Sequence, residues 1–89
     1  MIGIKTRRAV RQELKSVPHL VGNKVLFDHV SNEIIGAILP TKPGTKESER
    51  AGAKVWLSVY YATKSADAST KTTVSIYNRL GRLQDAEGF

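Results

Sequence analysis

No cysteine occurs among the 89 residues. A disulfide framework and a thiolate-held metal are therefore excluded. Methionine and tryptophan occur once each and histidine twice, so metal-ligating side chains are scarce. No apolar run approaches the roughly 18–20 residues that a membrane-crossing helix needs. The opening text, MIGIKTRRAVRQEL, carries charge but no apolar stretch of the kind a secretory leader requires. Synthesis in a cytoplasm, with no membrane partner, is the expectation. Acidic residues are also few: 8 stand against 14 lysines and arginines, for a net charge of +6. Such a balance favours an acidic partner, although a similar excess also serves solubility alone.

Catalytic signatures are missing too. No serine or threonine sits in a G-x-S-x-G or S-x-x-K context, and KPGTKESERAG lacks phosphate-loop spacing. His19 follows Pro18 in a connector, and His29 ends a candidate strand beside Asp28. Adjacent residues of a strand point to opposite faces, so Asp28 and His29 make no dyad. Glu47 and Glu49 lie between Lys46 and Arg50 and read as a solvated loop. These patterns predict a chain that is not an enzyme and has no cofactor, no metal and no catalytic residue.

What the chain does have is an aromatic segment at 54–63, where Val55, Leu57, Val59 and Tyr61 alternate with Trp56, Ser58, Tyr60 and Ala62. Alternation predicts a strand with one side toward a core and an aromatic side toward a helix or a second subunit. Ahead of it, residues 5–17 predict a helix. Val10, Leu14 and Val17 make one apolar stripe, Thr6 is the candidate N-cap, and Pro18 ends the segment. Arg7, Arg8, Arg11 and Lys15 give that helix a basic flank. Gly22-Asn23 reads as a turn. Strands are predicted near 24–30 and 34–39, separated by a break at Ser31–Glu33.

Residues 40–52 read as one long loop, with Lys42, Lys46 and Arg50 as its basic contacts. For residues 67–83 two readings stand. The run TKTTVSIYN at 70–78 is rich in β-branched residues and suits a strand. Ile76, Leu80 and Leu83 keep helical spacing, with Asp67 as N-cap, and favour a helix. The acidic tail at 85–89 is expected to fray or to dock on a neighbour. The fold class expected is α+β, a single domain over 1–89. A small sheet of about three to four strands would carry the N-terminal and C-terminal helices on one face.

The order of these signals resembles the phage tail terminator, or tail-completion, family. LKSVPHLVGNKVLFDHV is similar to that family's helix, turn and strand opening, and AKVWLSVYYATKSADAST is similar to its central strand and the start of its second helix. Tyr60, Tyr61, Ala62, Asp67 and Ala68 stand where that pattern places them, and 34–43 matches a strand ending in a proline-containing loop. In the family, further β-structure follows the second helix, and this sequence contains none. No single motif in the likeness is diagnostic. The resemblance implies a non-enzymatic virion protein of the tail or neck. It would form a ring, commonly a hexamer, that meets the tail tube and the head-side connector. Trp56, Tyr60, Tyr61, Lys42, Lys46 and Arg50 would then be interface residues. Arg7, Arg8, Arg11 and Lys15 would form an electrostatic surface with non-specific contact to DNA. The alternatives are a small basic nucleic-acid-binding or regulatory protein, and a small inhibitor of an acidic protein partner.

Overall fold

Between Phe27 and Ile38 the buried residues are Phe27, Val30, Ser31, Ile34, Ile35 and Ile38, which recur at steps of three and four. That spacing is one face of a helix. The computed structural model describes residues 2–42 and 44–87, with side chains over 3–42 and 44–83. It has five helices: α1 (Ile2–Leu14), α2 (Pro18–Val21), α3 (Lys24–Ile38), α4 (Lys46–Thr63) and α5 (Ala66–Glu87). No strand occurs among the described residues.

Local chemistry sets the helix ends. The Asn23 side chain accepts from the Leu26 N–H at 3.1 Å and caps α3. Thr45 accepts from the Ser48 N–H at 3.2 Å and caps α4, with Glu47 and Glu49 in the first turn, where a helix N-terminus favours negative charge. The Ser65 hydroxyl accepts from the Ala68 N–H at 3.1 Å just before α5. Pro18 stands in the first turn of α2, where its missing N–H leaves no bond unmade. Between α4 and α5 the chain reverses through Lys64, at φ 57°, whose N–H returns to the Tyr60 carbonyl.

These helices close a bundle. α3 packs on α1 and α4, α5 packs on α4 and α1, and the short α2 braces α3 and α4. The centre holds Val10, Leu14, Val17, Leu20, Phe27, Val30, Ile34, Ile35, Ile38, Val55, Val59 and Ile76. Two ion pairs strap α1 to its neighbours. Arg11 Nη2 lies 3.1 Å from Asp28 of α3, and Arg79 Nε of α5 donates to Glu13 at 2.6 Å.

The α+β expectation is overturned. The two strands near 24–30 and 34–39 are one helix, and the break expected at Ser31–Glu33 is its middle. Ser31 is fully buried there and donates to the Phe27 carbonyl at 2.7 Å, a bond made within the helix. The strand at 54–63 is the C-terminal part of α4. Val55 and Val59 face the core, while Leu57 and Tyr61 are exposed, although strict alternation would have put all four on one side. The long loop shrinks to 39–45, because Lys46 opens α4. Pro43, within it, lies outside the described residues.

Smaller boundaries shift as well. α1 ends at Leu14 rather than residue 17, and Thr6 is a buried residue inside it, not a cap. Of the two readings for 67–83, α5 is the helical one. Its cap is Ser65, and Asp67 is a first-turn residue. Residues 85–87 of the tail continue α5, and residues 88 and 89 lie outside the described residues.

One flaw in the core gives a prediction. The hydroxyls of Tyr77 and Thr73 are buried without a hydrogen-bond partner among the described residues. Burial also raises the Tyr77 pKa above its ordinary value. A sealed, unsatisfied hydroxyl costs roughly 1–3 kcal/mol. Tyr77→Phe should therefore raise stability by about 1 kcal/mol, read as a higher urea midpoint at unchanged slope. A group whose folded pKa is raised contributes stability that is lost as pH climbs through that pKa. The gain from Tyr77→Phe should thus widen above pH 10, the ordinary tyrosine range.

Candidate interaction surfaces

α4 presents different residues to its two neighbours. Toward α5 it shows Trp56, on which Tyr60 stacks. Their rings stack at 5.1 Å between centroids and 11° between planes, as side chains four apart on a helix can. Trp56 Nε1 donates to Thr70 Oγ1 at 3.0 Å, and Ser69 Oγ donates to the Trp56 carbonyl. Both aromatics are half-buried, and the Trp56 hydrogen bonds tie α4 to α5 within the chain, while the Tyr60 ring also meets Tyr61 at 6.2 Å between centroids. The residues expected at an interface are thus partly absorbed by intramolecular packing.

Toward α3, α4 lines an open groove of about 640 Å3. Leu26, Glu33, Gly36 and Ala37 of α3 face Lys54, Leu57, Ser58 and Tyr61 of α4 across it. Tyr61 is 64% exposed and Leu57 42%, which makes this the apolar part of the helix left without a partner. Lys64 Nζ sits 5.6 Å from the Tyr61 ring centre, a cation held over an aromatic face. His29 also lines the groove, whereas His19 is exposed on α2, so the two histidines stand on separate elements. No group of three or more histidine, aspartate or glutamate side chains with metal-holding geometry occurs among the described residues.

The basic flank of α1 is smaller than its sequence suggests. Arg7, Arg8 and Lys15 are exposed, with no ion-pair partner among the described residues. Arg11 is different. It bonds Asp28 and lies 4.9 Å over the Phe27 ring, so it acts as a strap rather than as free charge. Lys5, Gln12 and Arg79 were not among the residues expected in this region. Lys5, Arg8, Gln12 and Arg79 line a shallow hollow of about 440 Å3 between α1 and α5. Arg79 is brought there by the helix packing, which its position in the sequence does not reveal. Lys42, Lys46 and Arg50 are all exposed, Lys42 in the short loop and the other two in the first turns of α4.

Asp28 has a second cation, Lys24, with Nζ at 3.1 Å. The Lys24 hydrogen bond, then that of Arg11, holds the Asp28 carboxyl below its usual value of 3.8. A depressed carboxylate contributes stability at neutral pH that is lost as pH falls through its folded pKa. Asp28→Asn should therefore flatten the acid limb of the stability–pH curve below 3.8 while leaving the alkaline limb unchanged. Urea titrations of both proteins across that range would read this directly.

No protein-family model, curated protein or solved structure matches this chain.

Proposed function

We propose that this chain is a non-enzymatic structural protein that works by surface contact, and that the assembly it serves is the head–tail joint of a phage virion. The observation that supports surface contact is the exposed Leu57–Tyr61 ridge beside the α3–α4 groove. Contiguous exposed apolar residues rimmed by polar ones are a mark of protein interaction sites and binding grooves. The virion setting comes from the sequence resemblance. That resemblance was one of element order, and three of its strands are helical here. It therefore supplies the class of the proposal and no shared fold. In this reading copies of the chain join one another in a ring, commonly of six, that meets the tail tube and the connector, and no cofactor takes part.

A second reading is favoured by one observation. Arg7 and Arg8 project from α1, and Lys15 from the turn that follows it, with no ion-pair partner among the described residues, while Glu13 and Asp28 are occupied by Arg79, Arg11 and Lys24. An exposed cationic helix is the footprint of a nucleic-acid-binding module. Native mass at two concentrations, with and without a short DNA duplex, separates the two readings. A closed ring indifferent to DNA supports the structural role. A species that shifts with DNA, with a steep salt dependence lost in an Arg7→Ala/Arg8→Ala/Lys15→Ala variant, moves the assignment to nucleic acid.

A further inference from the structure

We propose that the α3–α4 groove is a self-recognition surface that binds a second copy of this chain about a two-fold axis. The inference rests on the groove alone and holds whether or not the chain belongs to a virion. A two-fold interface uses the same patch on both subunits, so the patch must be complementary to itself. This groove meets that condition in charge and in shape.

In charge, it carries one acid on one wall and one base on the other: Glu33 on α3 and Lys54 on α4. Neither has an ion-pair partner among the described residues, although both line the same hollow. A two-fold axis running along the groove exchanges the walls. Glu33 of each copy then lies opposite Lys54 of the other, and two intermolecular pairs form where the single chain makes none. A partner carrying a single sign of charge would satisfy only one of the two groups.

In shape, the groove has ridge and hollow together. Leu57 and Tyr61 stand out from α4, and Gly36, Ala37 and Ser58 leave low walls. A Cβ built on Gly36 would meet nothing within 4 Å. The space above the backbone of α3 at that point is open, and a helix or an aromatic ring of another copy can approach it closely. Glycine within a helix is a net cost to the isolated fold, roughly 0.5–1 kcal/mol relative to alanine. Burial against a partner gives that cost a use. The three features line one groove: the apolar ridge to exclude water, the small-residue hollow to receive it, and the two opposite charges to fix orientation.

Sedimentation equilibrium of the full chain tests the proposal. Wild-type protein should show a reversible monomer–dimer equilibrium. Glu33→Lys and Lys54→Glu should each weaken it, because each reversal sets like charges opposite one another at two symmetric places. A loss of about tenfold or more per reversal is expected, and the double variant Glu33→Lys/Lys54→Glu should recover most of it. Leu57→Asp should abolish the dimer. Leu57 is exposed, so its far-ultraviolet circular dichroism and urea midpoint should stay near wild type, which separates lost association from lost folding. A chain that stays monomeric up to about 1 mM overturns the proposal. So does a dimer that ignores Leu57→Asp, or a double reversal without recovery. A larger closed ring insensitive to all of these changes also overturns it, and would at the same time support the ring reading given above.

Discussion

Replacing Val74 with proline should leave the chain unfolded or close to it, while replacing Val74 with alanine should leave it folded. Val74 lies in the interior of α5 with its side chain 54% exposed. The side chain therefore contributes little, and the backbone everything. Proline removes one helical hydrogen bond and clashes with the preceding turn, at a cost of about 3 kcal/mol or more. Folded domains gain only about 0.05–0.15 kcal/mol per residue, so a chain this small has little to lose. The damage would also spread. Beyond Val74, α5 carries Ile76 into the core and Arg79 to Glu13 on α1. Alanine keeps the helix and is the better helix former, so a change within about 0.5 kcal/mol is expected. Urea unfolding of the two variants followed by circular dichroism gives the comparison. A proline variant as stable as wild type would mean that residues 70–78 do not fold as helix.

Ile34→Ala should be the most damaging single truncation in α3. Ile34 is fully buried, and it lies in the core among residues from α1, α4 and α5. Removing a buried isoleucine to alanine costs about 2–5 kcal/mol, through lost transfer energy and the cavity left behind. The cavity would open where the helices converge, so the neighbours have little room to collapse into it. Val25, on the same helix but 81% exposed, is the matched control. Val25→Ala should change stability by about 0.5 kcal/mol or less. Equal losses at the two positions would contradict the orientation of α3. Together with the Val74 pair, this tests α3 and α5, two helices for which the sequence also offered a strand reading.

The misread strands have a physical explanation. Val55 and Val59 satisfy two patterns at once: they are two steps of a strand alternation and one i, i+4 step of a helix. Leu57 and Tyr61 decide between them, since they share a face with the valines only in a strand, and here they are exposed. Their exposure is a property of the packing. In α3 the helical signal was legible. Phe27, Val30, Ile34, Ile35 and Ile38 follow helical spacing throughout, and Asn23 is a good cap. The polar trio Ser31–Glu33 hid it by resembling a turn. In α4, Thr45 with Glu47 and Glu49 is an N-terminal signature, read instead as loop because prolines and glycines surround it. β-Branched content pulled the same way in 70–78, but such propensities are small beside burial of a helical face.

The candidate surfaces were partly legible. Trp56, Tyr60 and Tyr61 were visible as an aromatic cluster, but only their placement on α4 separates the half-buried stacked pair, with Trp56 bonded to α5, from the exposed tyrosine beside the groove. The basic flank was visible as Arg7, Arg8, Arg11 and Lys15, yet Arg11 is taken by Asp28, 17 positions away. Glu33 and Lys54 carried no signal at all, because nothing local says that they line one hollow.

The sequence by itself determined the absence of thiol chemistry, the excess of positive charge, the apolar stripe of Val10 and Leu14, and the helical periodicity of Ile76 and Leu80. Each is a matter of composition or of spacing within one turn or two. The tertiary structure alone decided that 54–63 is helical, which cations among the described residues are left without an ion-pair partner, and which apolar residues stay uncovered. Those outcomes depend on which helix lies beside which, and neighbours distant in the chain are chosen by the burial of whole faces rather than by any residue's own preference.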